Sequence, residues 1–261
     1  MQREPDPAPL SPCKICSVPA PLFGAVDFNK CCEDRNGAVL PRSGVPVHYR
    51  RCPNCGFVFT EFFDAWSPED FRKHIYNDSY ATVDPEYTEA RPKLNATRIA
   101  SLFPEGRGML KILDYGGGNG KCAELLRQDG FDAQSYDPFV DTTEPPADSF
   151  DLITCIEVIE HLPDPIGSVD TMLDYLKPGG MMMIGTGIVP EDFDSIRLNW
   201  WYIAPRNGHI SIYSIGALAR LFSRFGLGGG SLTNGWQTIF ETAPPDFAKH
   251  LFVDAVTRVI K

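Results

Sequence analysis

The sequence predicts an α/β protein whose mostly parallel sheet is covered by helices on both faces, behind a small, loop-rich N-terminal module. Three observations carry this expectation. From residue 110 onward, apolar strand-like runs alternate with helical ones, the pattern that builds parallel sheets. The stretch ILDYGGGNGKCAELL, 112–126, passes from strand to helix through a run of glycine. The first 60 or so residues lack helical periodicity and hold six of the eight cysteines.

The elements follow in order. WSPEDFRKHIY reads as a helix: Ser67 suits the N-cap, Pro68 the first helical position, and Asp70 completes a capping-box spacing. RPKLNATRIASLF, 91–103, is a second helix with Leu94, Ile99, Leu102 and Phe103 on its apolar face. PEGRG marks a turn. MLKILDY is a buried strand, GKCAELLRQDG a helix closed by Gly130, and FDAQSYD a second strand. FDLITCI, 150–156, is another strand, and DPIGSVDTMLDYLKPGG a helix capped by Asp164 and stopped at Gly179–Gly180. MMMIGT is a further strand and SIGALARLFSRFG, 214–226, a further helix. Two short strands near 227–233 and 236–242 precede a C-terminal helix.

Composition narrows the function. A formal charge of −10 over 261 residues argues against binding of a phosphate backbone, so small molecules are the expected partners and nucleic acid is not. Nothing approaches the roughly 20 apolar residues of a membrane helix. The opening MQREPDPAPLSP is charged and proline-rich, without a signal-like apolar stretch, and a soluble cytoplasmic protein is expected.

The glycine junction discriminates among ligands. A dinucleotide-binding G-x-G-x-x-G needs glycine or alanine where this chain has Lys121, and a phosphate-binding P-loop needs glycine at Tyr115 and Ser or Thr at Cys122. What remains is D-x-G-x-G-x-G, formed by Asp114, Gly116, Gly118 and Gly120, with Asp137 closing the next strand. This resembles the signature loop of class I S-adenosylmethionine-dependent methyltransferases. The resemblance covers about residues 108–242 and implies a Rossmann-like seven-stranded, mostly parallel sheet with helices on both faces. It implies that Asp137, with Pro138 beside it, receives the ribose hydroxyls, and that Asp114 serves the cofactor's ammonium end directly or through water. Cys155 and Glu157, within DLITCIEVIEHLPDP, would line the pocket.

Glu157, Glu160 and His161 are spaced so that one helical turn would project all three from one face. E-x-x-E-H resembles a segment of ubiquinone-biosynthesis O-methyltransferases associated there with a divalent metal, and two carboxylates with an imidazole are credible ligands. The same segment occurs in family members in which the histidine packs and orients the loop. Farther on, Trp200, Trp201 and Tyr202 can wall an apolar pocket or pack as core. HISIYS resembles the part of sugar C-methyltransferases that carries a catalytic histidine, which points to His209; there a glutamate precedes it, and here Gly208 does. Imidazole titrates near 6.5 and suits proton removal at neutral pH. The alternative role of His209 is packing beneath the cofactor. His209 is the first candidate base and His161 the second, while Tyr76 and Tyr80 fall on a segment placed to close over the site.

Cys13 and Cys16, 35 intervening residues, then Cys52 and Cys55 make C-x₂-C…C-x₂-C, which resembles a zinc ribbon with an enlarged first loop. Four thiolates would fill a tetrahedral structural ion, leaving Cys31 and Cys32 uncommitted. The expected organisation is a zinc-ribbon-like module at 1–65, a helical linker or lid at 66–106, and the methyltransferase domain at 107–261. The expected activity is methylation at oxygen or carbon of a small acceptor such as a sugar or a natural-product precursor. A metal-assisted O-methyltransferase using Glu157, Glu160 and His161, and a cofactor-binding scaffold subunit without turnover, are the alternatives.

Overall fold

Apolar runs such as Lys111–Tyr115 and Phe150–Ile156, buried on both faces, form the centre of the main sheet in the computed structural model, which describes residues 9–232, 235–252 and 259–260. Its strands are β6 (Lys111–Tyr115), β7 (Asp132–Tyr136), β8 (Phe150–Ile156), β9 (Leu176–Gly185), β11 (Gly228–Ser231), β12 (Trp236–Phe240) and β13 (Val259–Ile260). They lie in the order β7-β6-β8-β9-β12-β11-β13. β6 pairs in parallel with both β7 and β8, and β8 with β9; β12 runs antiparallel to β9 and to β11. The seven-stranded, mostly parallel sheet is therefore present. The chain leaves β6 for β7 on one side and returns for β8 on the other, so strand order reverses at the carboxyl end of β6, where open α/β sheets bind ligands.

Helices α3 (Ala90–Leu102) and α4 (Lys121–Gln128) pack on one face, and Ile99, Leu126 and Leu152 share their core. α5 (Pro165–Tyr175) and α7 (Ile215–Ser223) cover the other through Met172, Leu218 and Leu221. Sequence and structure agree closely at caps. Ser67 Oγ accepts from Asp70 N–H at 3.2 Å while Asp70 receives Ser67 N–H at 2.8 Å, opening α1 (Pro68–His74). Asp164 caps α5.

Three differences have local causes. α5 ends at Tyr175, and Gly179–Gly180 lie inside β9, whose register against β8 is shifted at this point, instead of stopping the helix. Leu94 faces solvent, so the apolar stripe of α3 is narrower than its sequence suggests. The expected C-terminal helix is a 3-10 stretch, Asp246–Phe252, followed after undescribed residues by β13; residues 233–234 of the penultimate strand also lie outside the described residues.

A second sheet, β10-β5-β4-β3, joins β3 (Leu22–Asp27), β4 (Pro46–Arg51) and β5 (Val58–Thr60) to β10 (Ser211–Ile212), with Ser211 opposite Phe59. It draws strands from both sides of residue 65. The first C-x₂-C turn links the short strands β1 (Ser11–Pro12) and β2 (Pro19–Ala20), and the second links β4 to β5. Ser214, the N-cap of α7, donates its hydroxyl to Cys55 O at 2.6 Å, which seats the second turn on that helix.

Candidate active site

The glycine loop begins where β6 ends. Gly116, Gly118 and Gly120 all have positive φ, at 74°, 53° and 73°, a region that costs other residues strain. Their surroundings differ. A side chain at Gly116 would strike Val158, whereas one at Gly118 would meet open space. The bare backbone at 118 thus forms an uncovered floor. Asp137 stands beside it, accepting Gly118 N–H at 3.1 Å through one oxygen and Phe139 N–H at 2.9 Å through the other. Pro138 is exposed next to it. A carboxylate beside open backbone at the strand switch fits a nucleoside with a free ribose diol.

Asp114 differs from the expectation. Its carboxyl lies beneath the loop, 6% exposed, accepting from Thr154 Oγ1 at 3.0 Å and from the Cys122 thiol. Burial raises it to about 6. Its position two residues along the strand from Ile112 turns it toward α4, beneath the loop. Ser135 Oγ, under the same loop, has no hydrogen-bond partner among the described residues. Cys155 also departs from its expected place: it is wholly buried in the core and lines nothing.

Glu157, Glu160 and His161 do not share one helical face. Glu157 takes φ 57°, pinned by its N–H to Gly185 O at 2.7 Å, before a 3-10 turn over Ile159–His161. The left-handed residue separates its carboxylate from the other two. Burial and the neighbouring Glu160 raise Glu157 to about 8. Glu160 is fully buried and accepts from Tyr202 Oη at 2.6 Å and Thr186 Oγ1 at 2.9 Å.

His209 comes from 49 residues beyond Glu160, yet the two histidine rings sit 5.0 Å apart. Nδ1 of His209 pairs with Tyr202 O at 2.8 Å, and Nδ1 of His161 with Gly208 O at 3.1 Å. Each Nδ1 must then carry the proton, which leaves both Nε2 lone pairs free. Burial holds both imidazoles below their usual range, His209 far below, so they stay neutral at physiological pH. Glu160, His161 and His209 bring one ligand atom each within 4.8 Å of one another. Tyr202 lies tilted against His209, ring centroids 4.2 Å apart, and is core, while Trp200 and Trp201 are half-buried. Arg35 covers Trp201 at 3.7 Å.

The N-terminal segments close this end. Tyr49 Oη donates to His209 O at 2.6 Å. Asn207 accepts Cys32 N–H and donates to Val83 O, tying the loop after β3 to α2 (Tyr80–Val83), and Tyr80 Oη reaches Asn207 O at 3.4 Å. Tyr76 and Tyr80 stack edge to face, with Tyr76 exposed and Tyr80 buried. Arg91 and Asp84 form a two-point ion pair over the same cleft. Sequence reasoning passed over both. One signal was present: a cation in the first turn of a helix opposes the helix dipole and needs a reason to be there.

Cys13, Cys16, Cys52 and Cys55 converge, with three Sγ–Sγ separations of 3.4 to 3.7 Å and all four sulfurs within 4.8 Å of one another. Zn–S bonds of about 2.3 Å imply tetrahedral edges near 3.75 Å, so the cluster is compatible with zinc. Hydrogen bonding between Cys13 and Cys55 pulls Cys13 down to about 5 and pushes Cys55 up. Cys31 instead bonds Asp34 and stands outside the cluster, and Cys32 lies 3.8 Å from His209 Nδ1.

Residues 87–228, more than half of the sequence, match the family model described as a methyltransferase domain. The chain belongs to that family. It is 27% identical over 121 residues to a ubiquinone biosynthesis O-methyltransferase of Pectobacterium atrosepticum, covering 36% of this chain and 50% of the relative. It is 26% identical over 131 residues to the enzyme of the same name from Acinetobacter baumannii, covering 39% and 55%. The methyltransferase-family chain spans about half the length of the curated relatives it matches. Among solved structures it is similar to an O-methyltransferase family protein from Burkholderia thailandensis, at 14% identity and a TM-score of 0.47, covering 70% of this chain and 64% of that one. A 1,6-didemethyltoxoflavin-N1-methyltransferase from the same organism, solved with its substrate and S-adenosylhomocysteine, is 14% identical with a TM-score of 0.44, covering 74% and 99%. Among the described residues no helix is long and apolar enough to cross a membrane.

Proposed function

We propose that this methyltransferase-family chain transfers a methyl group from S-adenosylmethionine to a small-molecule acceptor. The observation that carries the reading is the uncovered backbone at Gly118 with the Asp137 carboxylate beside it, at the switch point of the sheet. The cofactor supplies an electrophilic methyl on a sulfonium. Asp137 receives the ribose hydroxyls, Gly118 lets the nucleoside lie against main chain, and Asp114 with Thr154 keeps the loop in shape. Tyr76, Tyr80 and the segment carrying them cover the cleft, which holds donor and acceptor in line and excludes water. His209, neutral and fixed by Tyr202 O, takes the acceptor's proton on Nε2, with His161 adjacent as the second base. The nucleophile is then a hydroxyl oxygen or a deprotonated carbon, on a sugar or natural-product precursor; the names of the curated relatives support the oxygen case. The four cysteine thiols hold a structural zinc ion.

Calorimetric titration with S-adenosylhomocysteine, followed by transfer of labelled methyl to a panel of sugars, phenols and natural-product intermediates, tests this. Binding with transfer supports it. Binding with no transfer across the panel would favour a scaffold subunit, and no binding removes the reading.

A second reading has its own support. Three acceptor atoms, from Glu160, His161 and His209, converge with both Nδ1–H groups already committed, an arrangement suited to a divalent cation. His209 here replaces Glu157 in the ligand set that the sequence suggested. Metal analysis separates the readings: Glu160→Gln lowers bound metal by one equivalent if the cation is there, and leaves only the cysteine-bound metal unchanged if it is not.

A further inference from the structure

The residues from Arg206 to His209 meet the lid and the histidines in turn. Arg206 lies in the 3-10 turn Pro205–Asn207, is 6% exposed, and sends its guanidinium into the joint between α1 and α2. Nη1 donates to the carbonyl of Ile75, the residue that closes α1, at 3.0 Å. Nη2 donates to Ser79 Oγ at 2.9 Å and to Asn77 Oδ1 at 3.3 Å, just before α2 begins. Asn207 holds the far end of α2 through Val83 O at 2.9 Å. Gly208 gives its carbonyl to His161 Nδ1 at 3.1 Å, and His209 follows.

All three acceptors of the Arg206 guanidinium are neutral, and among the described residues no carboxylate pairs with it. A charge buried in this way is costly, and an apolar side chain would fill the space at lower cost. What arginine adds is reach. Its planar fork joins an unsatisfied carbonyl at the end of one helix to the polar side chains that lead into the next. The approach is close: a Cβ at Gly208, whose φ is 85°, would lie 3.1 Å from His161 Nδ1 and 3.4 Å from both Ile75 Cγ2 and Tyr76 Oη. The turn is therefore bare where the lid and His161 press on it. Its backbone is also held from outside, since Arg206 N–H donates to Lys30 O at 3.1 Å and Ile210 N–H to Glu160 O at 2.8 Å.

Resting on the base and the cover assigned above, we infer that Arg206 is a positioning residue: it locks α1 and α2 onto the turn that carries His209, so that Tyr76, Tyr80 and the base are set together. Arg206 acts through these groups and touches neither cofactor nor acceptor. Seating the lid and aiming His209 Nε2 are then one event.

Amide exchange on the full chain tests the coupling without a substrate. It is read over 68–83, over 204–213, and over the sheet strands 111–115 and 150–156 as a reference. Arg206→Met is expected to speed exchange about ten-fold or more in both of the first two segments and to leave the strands unchanged. Ser79→Ala removes one acceptor from the lid side, and the Ser79 side chain caps no helix. It is expected to speed exchange over 204–213 about two-fold or more, and its effect should not add to that of Arg206→Met. An arginine that only fills space would leave 204–213 indifferent to Ser79. Arg206→Lys, which keeps the charge but loses the fork, gives a smaller change in both segments and carries the test if the methionine variant does not fold. In turnover, Arg206→Met should lower single-turnover methyl transfer about ten-fold or more while S-adenosylhomocysteine binds within about three-fold of the parent, and Arg206→Lys should recover part of the rate. Faster exchange in one segment alone or in neither, additive effects, or an unchanged transfer rate overturns the assignment. Coupled exchange in a parent protein that transfers no methyl group removes the proposed function and keeps the lock between lid and turn.

Discussion

Nδ1 of His209 is committed to a backbone carbonyl, and this hydrogen bond sets the chemistry expected of the ring. A neutral imidazole held well below its usual range stays unprotonated across the whole physiological span. The rate of methyl transfer in the intact protein should therefore stay level from pH 7.5 down to 6.5, and His209→Ala should lower single-turnover transfer about 10²–10⁴-fold. A fall beginning near pH 7, or an unchanged rate in the variant, would remove His209 from the role. Asp114 gives a stability test with a definite sign. Its folded value, about 6, lies above the ordinary 3.8, so the native state holds a proton that the unfolded chain releases. Its contribution is fully present below about pH 4 and lost as pH rises through 6, about 3 kcal/mol in all. Urea titrations of Asp114→Asn should show stability relative to the parent improving by that order between pH 4 and 7. The identities of Asp114, Asp137 and the glycines were legible because turn and pocket chemistry dictate residue type. The depth of Asp114 and Cys155 was not, since a strand's pattern says which residues alternate but not which face meets the ligand.

Loop and helix ends separate folding from binding. Gly116 and Gly118 share positive φ, but only Gly116 is hemmed in, by Val158. Gly118→Ala should cost roughly 1–2 kcal/mol of stability from the left-handed backbone alone, while weakening S-adenosylhomocysteine by more than ten-fold. Gly116→Ala adds an overpacking cost of roughly 1–3 kcal/mol and should lower thermal stability further. Melting curves beside titrations distinguish the two; equal stability losses would mean the space above Gly118 is not open. Caps at Ser67 and Asp164 could be read directly, because they depend on a few adjacent residues. The turn at Glu157–His161 could not. Its spacing suits a helix, but Glu157 leaves helical space to meet Gly185, a contact made only once β9 is in place.

At the scale of the whole molecule, β10 completes the N-terminal four-stranded sheet by pairing with β5, and His209 adjoins that seam. Tyr49 on β4 grips the histidine's own carbonyl, and Lys14, within the first cysteine turn, donates to Pro163 O at 3.1 Å just past His161. The first cysteine turn thus underpins the segment that carries His161. Dialysis against a strong chelator should lower the melting temperature and abolish methyl transfer, and Zn²⁺ should restore both. Structural zinc sites contribute about 10–16 kcal/mol of apparent folding free energy in small peptides, so the loss should be large. Unchanged melting after complete metal removal would detach the cluster from stability. None of this pairing was visible in the chain, because hydrogen bonds between strands so distant in sequence leave no local pattern.

The ladder between Phe59 and Ser211 also imposes a timetable on synthesis. About 150 residues separate the partners, which at typical elongation rates is roughly 8–30 s on a ribosome. Throughout that interval β5 has an unpaired edge and the four cysteines have no α7 to rest against. A cell making this protein must keep those thiols from oxidising until the strand that seals them has been translated.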